Sequence, residues 1–347
     1  MKINLGDTIT LDQYIYDSLY NAKYGYYMKK SPFGKNGDYI TAPNISILFS
    51  EMIAIWIILY WKNLGSPKSF NLIELGAGNG EMMSQMIRSF KRFPDFENSC
   101  NICILEKSNF LKKTQKIKLR NSKIKWLKNL DQLNNLPSVF IANEFFDALP
   151  IKQFIKKDKL WYEKNVNFTK NKTKLIDTLF DMKKFEKKIG FNISYKQKFI
   201  EFSPLTMDYL KIIAKKIKKK SGGILIIDYG YTGRKLKNTL HSISNHKFTN
   251  ILDGFGNSDI TYNINFNLIK KIAVEFGLKS SKITSQKKFL LKLGILQRAE
   301  ILSKNLPFSK KADIYFRIKR LIDEKSMGEL FKVMFVTQKN NNFQVGF

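Results

Sequence analysis

Short apolar runs alternate with amphipathic stretches through the middle of the chain. The run FNLIEL at 70–75 is typical of a strand buried in a parallel sheet, and residues 79–92 follow at helical spacing. Further strands are predicted at 101–106, 124–127, 138–143, 222–230 and, as an edge strand, 330–338, with another helix at 108–119. Strands that alternate with helices in this way predict an α/β fold with a doubly wound sheet and right-handed crossovers.

Two segments interrupt the alternation, so we predict four parts of the chain. An N-terminal helical or lid segment has helical patterns near residues 10–20 and 45–64, and an inserted α+β segment alternates like a hairpin in IKQFIKKDKLWYEK. That insertion would either extend the sheet or cover a binding site. The predicted parts are the N-terminal segment (1–66), the first half of the core (67–150), the insertion (151–205) and the second half of the core (206–347).

The charge is strongly basic, but its distribution is even. The net charge is +31 over 347 residues, and only seven of the 60 basic residues are arginine. A basic stripe would indicate nucleic acid or an anionic membrane as the partner, whereas lysine spread along the whole chain is also what a general compositional bias produces. Both interpretations stay open, and the even spread favours the bias.

Neither a membrane span nor a targeting peptide is predicted. The longest apolar run, MIAIWIILYW at 52–61, is shorter than the roughly 18 residues that a span needs, and the first ten residues resemble no leader. We therefore expect the cytoplasm of a bacterium, with the mitochondrial matrix as the alternative. The two cysteines, Cys100 and Cys103, lie within a predicted strand, and the sequence offers too few further ligands for zinc, so buried thiols and no metal site are expected.

Three alternate glycines follow the first predicted core strand in IELGAGNG. Gly76, Gly78 and Gly80 match neither the dinucleotide pattern nor the P-loop, but they permit a sharp turn and close approach to a ligand beside a helix N-terminus. Glu74 just before the turn suits an ammonium, and Glu106 at the end of the next strand suits a ribose diol. An amino acid joined to a ribose without phosphate describes S-adenosylmethionine; a purely structural turn is the alternative.

The fourth predicted strand ends in a second polar group, within ANEFFDALP at 142–150. Asn143, Glu144 and Asp147 would lie at the same sheet edge as the glycines, surrounded by apolar neighbours. An ordinary helix cap explains part of this pattern. A carboxylate pair would also orient a guanidinium acceptor for in-line methyl transfer.

Together these motifs resemble the MidA-like family of mitochondrial and bacterial proteins across nearly the whole chain. The matching segments are YGYYM (24–28), FGKNGDYITAPNIS (33–46), IELGAGNG (73–80), ANEFFDALPIKQF (142–154), IDYGY (227–231), DIT (259–261), FLLKLGI (289–295) and MGELFKVM (327–334). The resemblance implies a class I, Rossmann-like methyltransferase sheet with S-adenosylmethionine as the donor. It further implies methylation of an arginine ω-nitrogen in a respiratory complex I subunit, and so a role in assembly of that complex.

The resemblance also assigns roles to matching positions. It implies cofactor contacts at Gly76, Gly78, Gly80, Glu74 and Glu106, and an acceptor site at Asn143, Glu144 and Asp147. The chain departs from the family pattern after DIT, where Asn263 and Asn265 replace an expected histidine and aspartate.

Several further residues are weaker candidates for the site. Thr41 and Asp38 would either line the pocket or cap the following helix, and Tyr24, Tyr26 and Tyr27 would either close over the ligand or only pack. Tyr229 is expected to contact the acceptor, and His246 is expected to be structural rather than catalytic.

Two other functions compete with protein methylation. An RNA methyltransferase would suit the charge, but it predicts clustered arginines and aromatic stacking platforms, and the scarcity of arginine counts against it. A cofactor-binding assembly factor would keep the fold without turnover, and the intact glycines, Glu74 and Glu106 argue against it.

Overall fold

A central sheet covered by helices on both faces forms the core of the chain. The computed structural model describes residues 6–29, 32, 40–169, 172–244 and 247–347. In this part of the chain, no helix combines the length and the hydropathy that crossing a membrane requires.

The strands are short, as is usual in globular domains. In chain order they are β1 (Thr8–Thr10), β2 (Phe70–Leu75), β3 (Cys100–Leu105), β4 (Ile124–Leu127), β5 (Ser138–Asn143), β6 (Lys152–Lys157), β7 (Leu160–Phe168), β8 (Thr173–Phe180), β9 (Phe199–Phe202), β10 (Gly222–Tyr231), β11 (His241–Ser244), β12 (Lys247–Thr249), β13 (Asp259–Thr261), β14 (Ile264–Asn265), β15 (Leu278–Ser280), β16 (Thr284–Ser285) and β17 (Phe331–Gln338).

The helices range from one turn to 17 residues. In chain order they are α1 (Leu11–Tyr20), α2 (Tyr26–Lys29), α3 (Ala42–Ile45), α4 (Ile47–Asn63), α5 (Glu81–Phe90), α6 (Pro94–Ser99), α7 (Asn109–Lys118), α8 (Met182–Ile189), α9 (Pro204–Lys220), α10 (Phe266–Glu275), α11 (Gln286–Lys292), α12 (Ile295–Ser303), α13 (Phe308–Ile322) and α14 (Met327–Leu330), with a 3-10 turn at Leu130–Gln132.

The central sheet has the strand order β15-β17-β10-β5-β2-β3-β4, with β14 beside β10 and β16 beside β17. The strands β10, β5, β2, β3 and β4 run parallel, so their carboxyl ends meet at one edge, while β17 is antiparallel to β10. This arrangement confirms the predicted α/β sheet. The prediction of an edge position for the last strand is wrong, because β17 lies between β10 and the short strands β15 and β16.

Both faces of the central sheet are buried, which explains its nearly continuous apolar strands. Along β2, Leu72 packs in a cluster with the helices α4 and α5, and Ile73 packs in a second cluster with α9 and α10. The long helix α4 has apolar residues all around its surface and is buried accordingly.

The predicted insertion forms a sheet of its own. Its strands β6 and β7 make the predicted hairpin, and the order β1-β7-β6-β9, with β8 beside β7, is separate from the central sheet. The alternative that the insertion extends the central sheet is therefore wrong. The strand β1 of the N-terminal segment joins this sheet by pairing with β7; the four predicted segment boundaries stay predictions.

Candidate active site

A cavity of about 970 Å³ opens where the parallel strands of the central sheet end. Parallel sheets generally bind ligands at this edge, because the loops there leave a crevice. The predicted residues that line this cavity are Tyr27, Thr41, Gly76, Gly78, Glu106, Glu144, Asp147, Tyr229 and Asn263. A smaller adjoining cavity of about 40 Å³ lies against the glycine turn, and it is lined by Glu74 and Asn143 and again by Thr41, Gly76, Gly78 and Glu144.

The glycine turn needs its glycines for backbone geometry. Gly76, Gly78 and Gly80 have φ of +67°, +51° and +77°, in the left-handed region that other residues enter only with strain. A Cβ on Gly76 would lie 2.9 Å from a ring carbon of Phe145, closer than packing allows. Gly80 is the N-cap residue of α5 and packs near Gln115, and it lines neither cavity. Gly80 thus helps to shape the turn, and its predicted contact with the cofactor stays a prediction.

Glu74 is a buried acid with an unused oxygen beside this turn. Its side chain is 3% exposed, and its Oε2 has no hydrogen-bond partner. Burial, and then the negative charge of Glu106, raise the pKa of Glu74 to about 8. A buried carboxylate without a partner is costly, so a positively charged ligand group at this position would stabilise it.

Thr41 connects the N-terminal segment to the same turn. It is the N-cap residue of α3, its Oγ1 accepts a hydrogen bond from Asn44 Nδ2 at 2.7 Å, and Asn44 Oδ1 accepts one from Asn79 Nδ2 at 2.9 Å. Thr41 therefore lines the cavity, whereas its side chain makes no capping hydrogen bond and the long helix α4 is capped by Ser46 instead. Asp38 lies outside the described residues.

Glu106 is held in place by two donors. Its Oε1 accepts from the Ser108 N–H at 2.8 Å and its Oε2 from Gln115 Nε2 at 2.9 Å, which leaves further lone pairs on both oxygens. Gln115 also donates to the Gly78 carbonyl at 2.9 Å and accepts from Trp126 Nε1 at 3.0 Å. Burial raises the pKa of Glu106. Sequence reasoning missed Gln115, whose one local signal is a polar residue on the buried side of α7.

The residues at this end of the cavity fit S-adenosylmethionine. An uncompensated acid lies beside the glycine turn, and a second acid with free acceptor capacity lies at the end of β3. The first acid suits the ammonium of that molecule and the second suits its ribose diol. The glycine turn, without side chains, lets the protein backbone approach the ligand closely.

Glu144 starts a cluster of acids at the end of β5. Its φ is +50°, its N–H donates to the Ile227 carbonyl at 2.9 Å, and its Oε1 accepts from Asn143 Nδ2 at 3.2 Å. Burial, and then the charge of Asp147, raise the pKa of Glu144 to about 8. The side chain is partly exposed to the cavity, so solvent there moderates this rise.

Asp147 is more deeply buried and half satisfied. Its Oδ2 accepts from the Tyr229 hydroxyl and, at 3.0 Å, from Thr261 Oγ1, whereas its Oδ1 has no hydrogen-bond partner. Burial raises the pKa of Asp147 in spite of these donors. Tyr229 thus contacts the predicted acceptor-site acid directly. In the described part of the chain, neither Glu144 nor Asp147 forms an ion pair with a lysine or arginine.

Asp228, near the end of β10, is a third acid that sequence reasoning did not single out. Its side chain is fully buried, and burial, followed by the charges of Asp147 and Glu144, raises its pKa well above the usual range. An aspartate at the end of the apolar run GGILII was the available signal.

The predicted tyrosines divide between the cavity and the core. Tyr27 lines the cavity, where its hydroxyl donates to Asp259 Oδ1 at 2.8 Å. Tyr26 is buried in the core, and Tyr24 packs against Phe255. Closure over a ligand therefore stays a prediction for Tyr27, whereas the packing alternative describes Tyr24 and Tyr26.

The two asparagines after DIT have different positions. Asn263 lines the cavity, whereas Asn265 caps α10 by accepting from the Leu268 N–H at 2.9 Å. His246 lies outside the described residues.

The insertion reaches the cavity mainly through a neighbouring loop. Among its described residues, Leu205 lines the cavity. Glu201 of β9 accepts from the N–H groups of Thr239 and Leu240 at 2.9 and 3.0 Å, and these two residues line the cavity. The alternative that the insertion covers the acceptor site stays a prediction.

Neither cysteine lies at this site. Both are free; Cys103 is buried and burial raises its pKa to about 11, whereas Cys100 is partly exposed, contrary to the expectation of two buried thiols. No cluster of three metal-ligating side chains occurs among the residues that the structure describes.

Comparisons with known proteins agree on the family. The profile of a family described as "putative S-adenosyl-L-methionine-dependent methyltransferase" matches residues 52–284, which is more than half of the chain. The chain is 27% identical to mitochondrial protein arginine methyltransferase NDUFAF7 of Xenopus tropicalis, over 98% of this chain and 84% of that protein. It is 26% identical to the human protein of the same name, over 95% and 80% of the two chains.

A solved structure shows the same fold. A Burkholderia thailandensis protein bound to S-adenosyl-homocysteine superposes with a TM-score of 0.83 at 22% identity, covering 98% of this chain and 90% of that one. The chain therefore belongs to this family, and it is an S-adenosylmethionine-dependent methyltransferase with a class I fold.

Proposed function

We propose that this methyltransferase modifies an ω-nitrogen of an arginine in a protein substrate, and that this substrate is a subunit of respiratory complex I. The observation that carries the arginine assignment is the cluster of Glu144 and Asp147, which has an unused oxygen and no cationic partner in the described part of the chain. Buried acids of this kind favour a cationic ligand, and paired carboxylates match a planar guanidinium.

Each end of the cavity has a proposed role. Glu74, Thr41 and the turn at Gly76, Gly78 and Gly80 hold the amino-acid end of the donor, and Glu106 holds its ribose. When bound, S-adenosylmethionine supplies an electrophilic methyl group on a sulfonium.

The acceptor-site acids orient the guanidinium and offset its desolvation. Asn143 positions Glu144 through its hydrogen bond. As the new nitrogen–carbon bond forms and the sulfur–carbon bond breaks, the nitrogen loses a proton, and the neighbouring carboxylates accept it. Such groups act chiefly by positioning and electrostatic stabilisation.

The relatives support the protein acceptor. Their names describe mitochondrial protein arginine methyltransferases, and they cover nearly the whole chain. The complex I subunit rests on the family resemblance. Either location, the bacterial cytoplasm or the mitochondrial matrix, is compatible with this proposal, and both stay predictions.

The two competing functions have weaker support. An RNA acceptor would bring phosphates close to the buried acids Glu106 and Asp147, which repel them, although Lys107, Lys128 and Arg320 also line the cavity. An assembly factor without turnover would have no use for the acids at the end of β5.

Glu144→Gln tests the proposal in cells. This change keeps the shape and removes the charge, so S-adenosylmethionine affinity should change little, whereas arginine methylation should fall by roughly two orders of magnitude. Mass spectrometry would compare arginine methylation of complex I subunits in wild-type, Glu144→Gln and deletion strains.

Each of the other outcomes contradicts a distinct part of the proposal. Full methylation in the Glu144→Gln strain refutes the acceptor site. A deletion-sensitive mark on a different protein refutes the complex I assignment. A wild type without any such mark favours the assembly factor.

A further inference from the structure

Asp228 and Tyr229, near the end of β10, support the turn at residues 144–147 that follows β5. Asp228 Oδ2 accepts hydrogen bonds from the N–H groups of Phe146 and Asp147, at 3.1 and 3.4 Å, and its Oδ1 accepts from the Tyr229 N–H at 3.0 Å. The side chain of Asp228 is 0% exposed, so water does not compete for these bonds. One carboxylate thus fixes the backbone on both sides of the gap between the two strands.

Tyr229 fixes the side chain of Asp147, whereas Asp228 fixes the backbone of the same residue. The Tyr229 hydroxyl donates to Asp147 Oδ2, and Thr261 Oγ1 donates to the same oxygen at 3.0 Å. Asp147 Oδ1 is left without a partner. One oxygen of Asp147 is therefore fixed by two donors, whereas the other is buried without a hydrogen-bond partner.

The turn itself needs an external support. Glu144 has a φ of +50°, a backbone conformation that costs a glutamate free energy and persists only where its surroundings enforce it. The parallel pairing of β10 with β5 supplies one restraint, since the Glu144 N–H donates to the Ile227 carbonyl at 2.9 Å. Asp228 supplies the next two, at Phe146 and Asp147.

A carboxylate at position 228 is also an expensive way to stabilise a turn. It lies fully buried beside two other acids, an arrangement that disfavours ionisation of all three. A neutral asparagine would avoid that repulsion, but its single acceptor oxygen could not serve the N–H groups of Phe146 and Asp147 and the N–H group of Tyr229 together. The acid is therefore better explained by a requirement of the site than by stability.

We propose that Asp228 and Tyr229 are positioning residues for methyl transfer, with Asp228 fixing the backbone of the turn 144–147 and Tyr229 fixing the carboxylate of Asp147, so that the free oxygen of Asp147 meets the acceptor. This inference rests on the proposed function, because the acceptor is taken to be a guanidinium. Neither residue touches the reacting atoms; both act through Glu144 and Asp147.

The test measures the turn and the site separately. Backbone hydrogen exchange reports the N–H groups of Phe146 and Asp147, and calorimetry reports the binding of N-ethylguanidine to the protein saturated with S-adenosyl-homocysteine. The variants are Asp228→Asn and Tyr229→Phe. The control is Glu163→Gln, since Glu163 is also a buried acid but pairs with Lys152 away from the cavity.

Asp228→Asn should accelerate exchange at both amides at least tenfold and weaken N-ethylguanidine binding at least tenfold, with S-adenosyl-homocysteine affinity within twofold of wild type. Tyr229→Phe should weaken N-ethylguanidine binding to a similar extent without changing the exchange. The control should change none of these values. If Asp228→Asn does not fold, Asp228→Glu replaces it, and exchange at the same amides should still increase because the longer side chain displaces the accepting oxygen.

Several results would overturn the inference. Unchanged amide exchange in the Asp228 variant would show that Asp228 does not restrain the backbone of the turn. Unchanged N-ethylguanidine binding in both variants would show that neither residue positions the acceptor site. An equal loss of S-adenosyl-homocysteine binding makes Asp228 merely structural. If the wild type binds S-adenosyl-homocysteine but not N-ethylguanidine, the proposed function fails instead, and amide exchange alone then decides whether Asp228 restrains the turn.

Discussion

Glu144 combines three features that are unusual for a glutamate. It has a left-handed φ of +50°, it lines the cavity, and burial with the neighbouring Asp147 raises its pKa to about 8. Strained backbone and shifted pKa values occur together where a site requires them. Glu144 is therefore the residue from which the behaviour of the acceptor site is most directly predicted.

The raised pKa predicts that cation binding depends on pH. Below about pH 8 Glu144 carries a proton that must leave before a guanidinium can pair with it. Affinity for N-ethylguanidine should therefore increase with pH, by up to about tenfold per unit from pH 6, and level off above pH 8. Calorimetry at several pH values would measure the slope, and Glu144→Gln should flatten it. An equal slope in wild type and variant would contradict the assignment.

Glu106 should contribute to the affinity for the cofactor rather than to the acceptor site. Loss of hydrogen bonds to a charged group by Glu106→Ala should weaken S-adenosyl-homocysteine binding by about 1.5–3 kcal/mol. An analogue without either ribose hydroxyl provides the control, since its affinity should change far less. If calorimetry finds the same loss for both ligands, Glu106 is structural and supports Gln115 instead.

At the scale of elements, the turn between β2 and α5 connects the sheet to the ligand. Its glycines adopt left-handed conformations, and Gln115 of α7 donates to the Gly78 carbonyl at 2.9 Å. The turn is thus fixed by a neighbouring helix before any ligand arrives. Such preorganisation reduces the entropic cost of binding.

Gly78→Val should destroy cofactor binding for reasons beyond backbone strain. Gly65 is a matched control, because its φ is +83° against +51° at Gly78 and a Cβ there meets no atom within 4 Å. Both substitutions should lower the free energy of unfolding by about 1–2 kcal/mol. Only Gly78→Val should remove S-adenosyl-homocysteine binding in calorimetry; loss of binding in Gly65→Val as well would show that strain alone is responsible.

At the scale of the whole molecule, the charge and the cavity point to different partners. The whole chain has a net charge of +31, whereas the cavity is lined by four acids, Glu106, Glu144, Asp147 and Asp259, against three basic residues, Lys107, Lys128 and Arg320. A polyanion can therefore be attracted to the surface without reaching the site. Electrostatic attraction of this kind is nonspecific and sensitive to salt.

RNA binding should accordingly be weak and without sequence preference. Fluorescence anisotropy with labelled single strands should show affinity falling by roughly a thousandfold or more between about 50 and about 200 mM salt. Saturating RNA should leave S-adenosyl-homocysteine affinity unchanged. Tight, sequence-dependent binding at the higher salt concentration would instead support the RNA methyltransferase.

Local patterns were sufficient to predict the central sheet and the cofactor. The bounds of β2 and β5 agree with the apolar runs, because strands buried on both faces require such runs, and the bounds of the edge strand β4 were also predicted. The glycine turn could also be predicted from the sequence, because a left-handed backbone conformation favours glycine at each of its three positions. Glu106 followed from its place at the end of a strand.

Contacts between distant segments were decided only by the tertiary structure. Asp228 lies 82 residues from Phe146 in sequence, and Gln115 lies 37 residues from Gly78, so no local pattern could pair them. The same holds for β17, whose inner position depends on the addition of β15 and β16, and for the insertion, whose β7 pairs with β1. Sequence periodicity determines which residues are buried, whereas long-range packing selects which buried groups meet, and the acids of this site owe their arrangement to the latter.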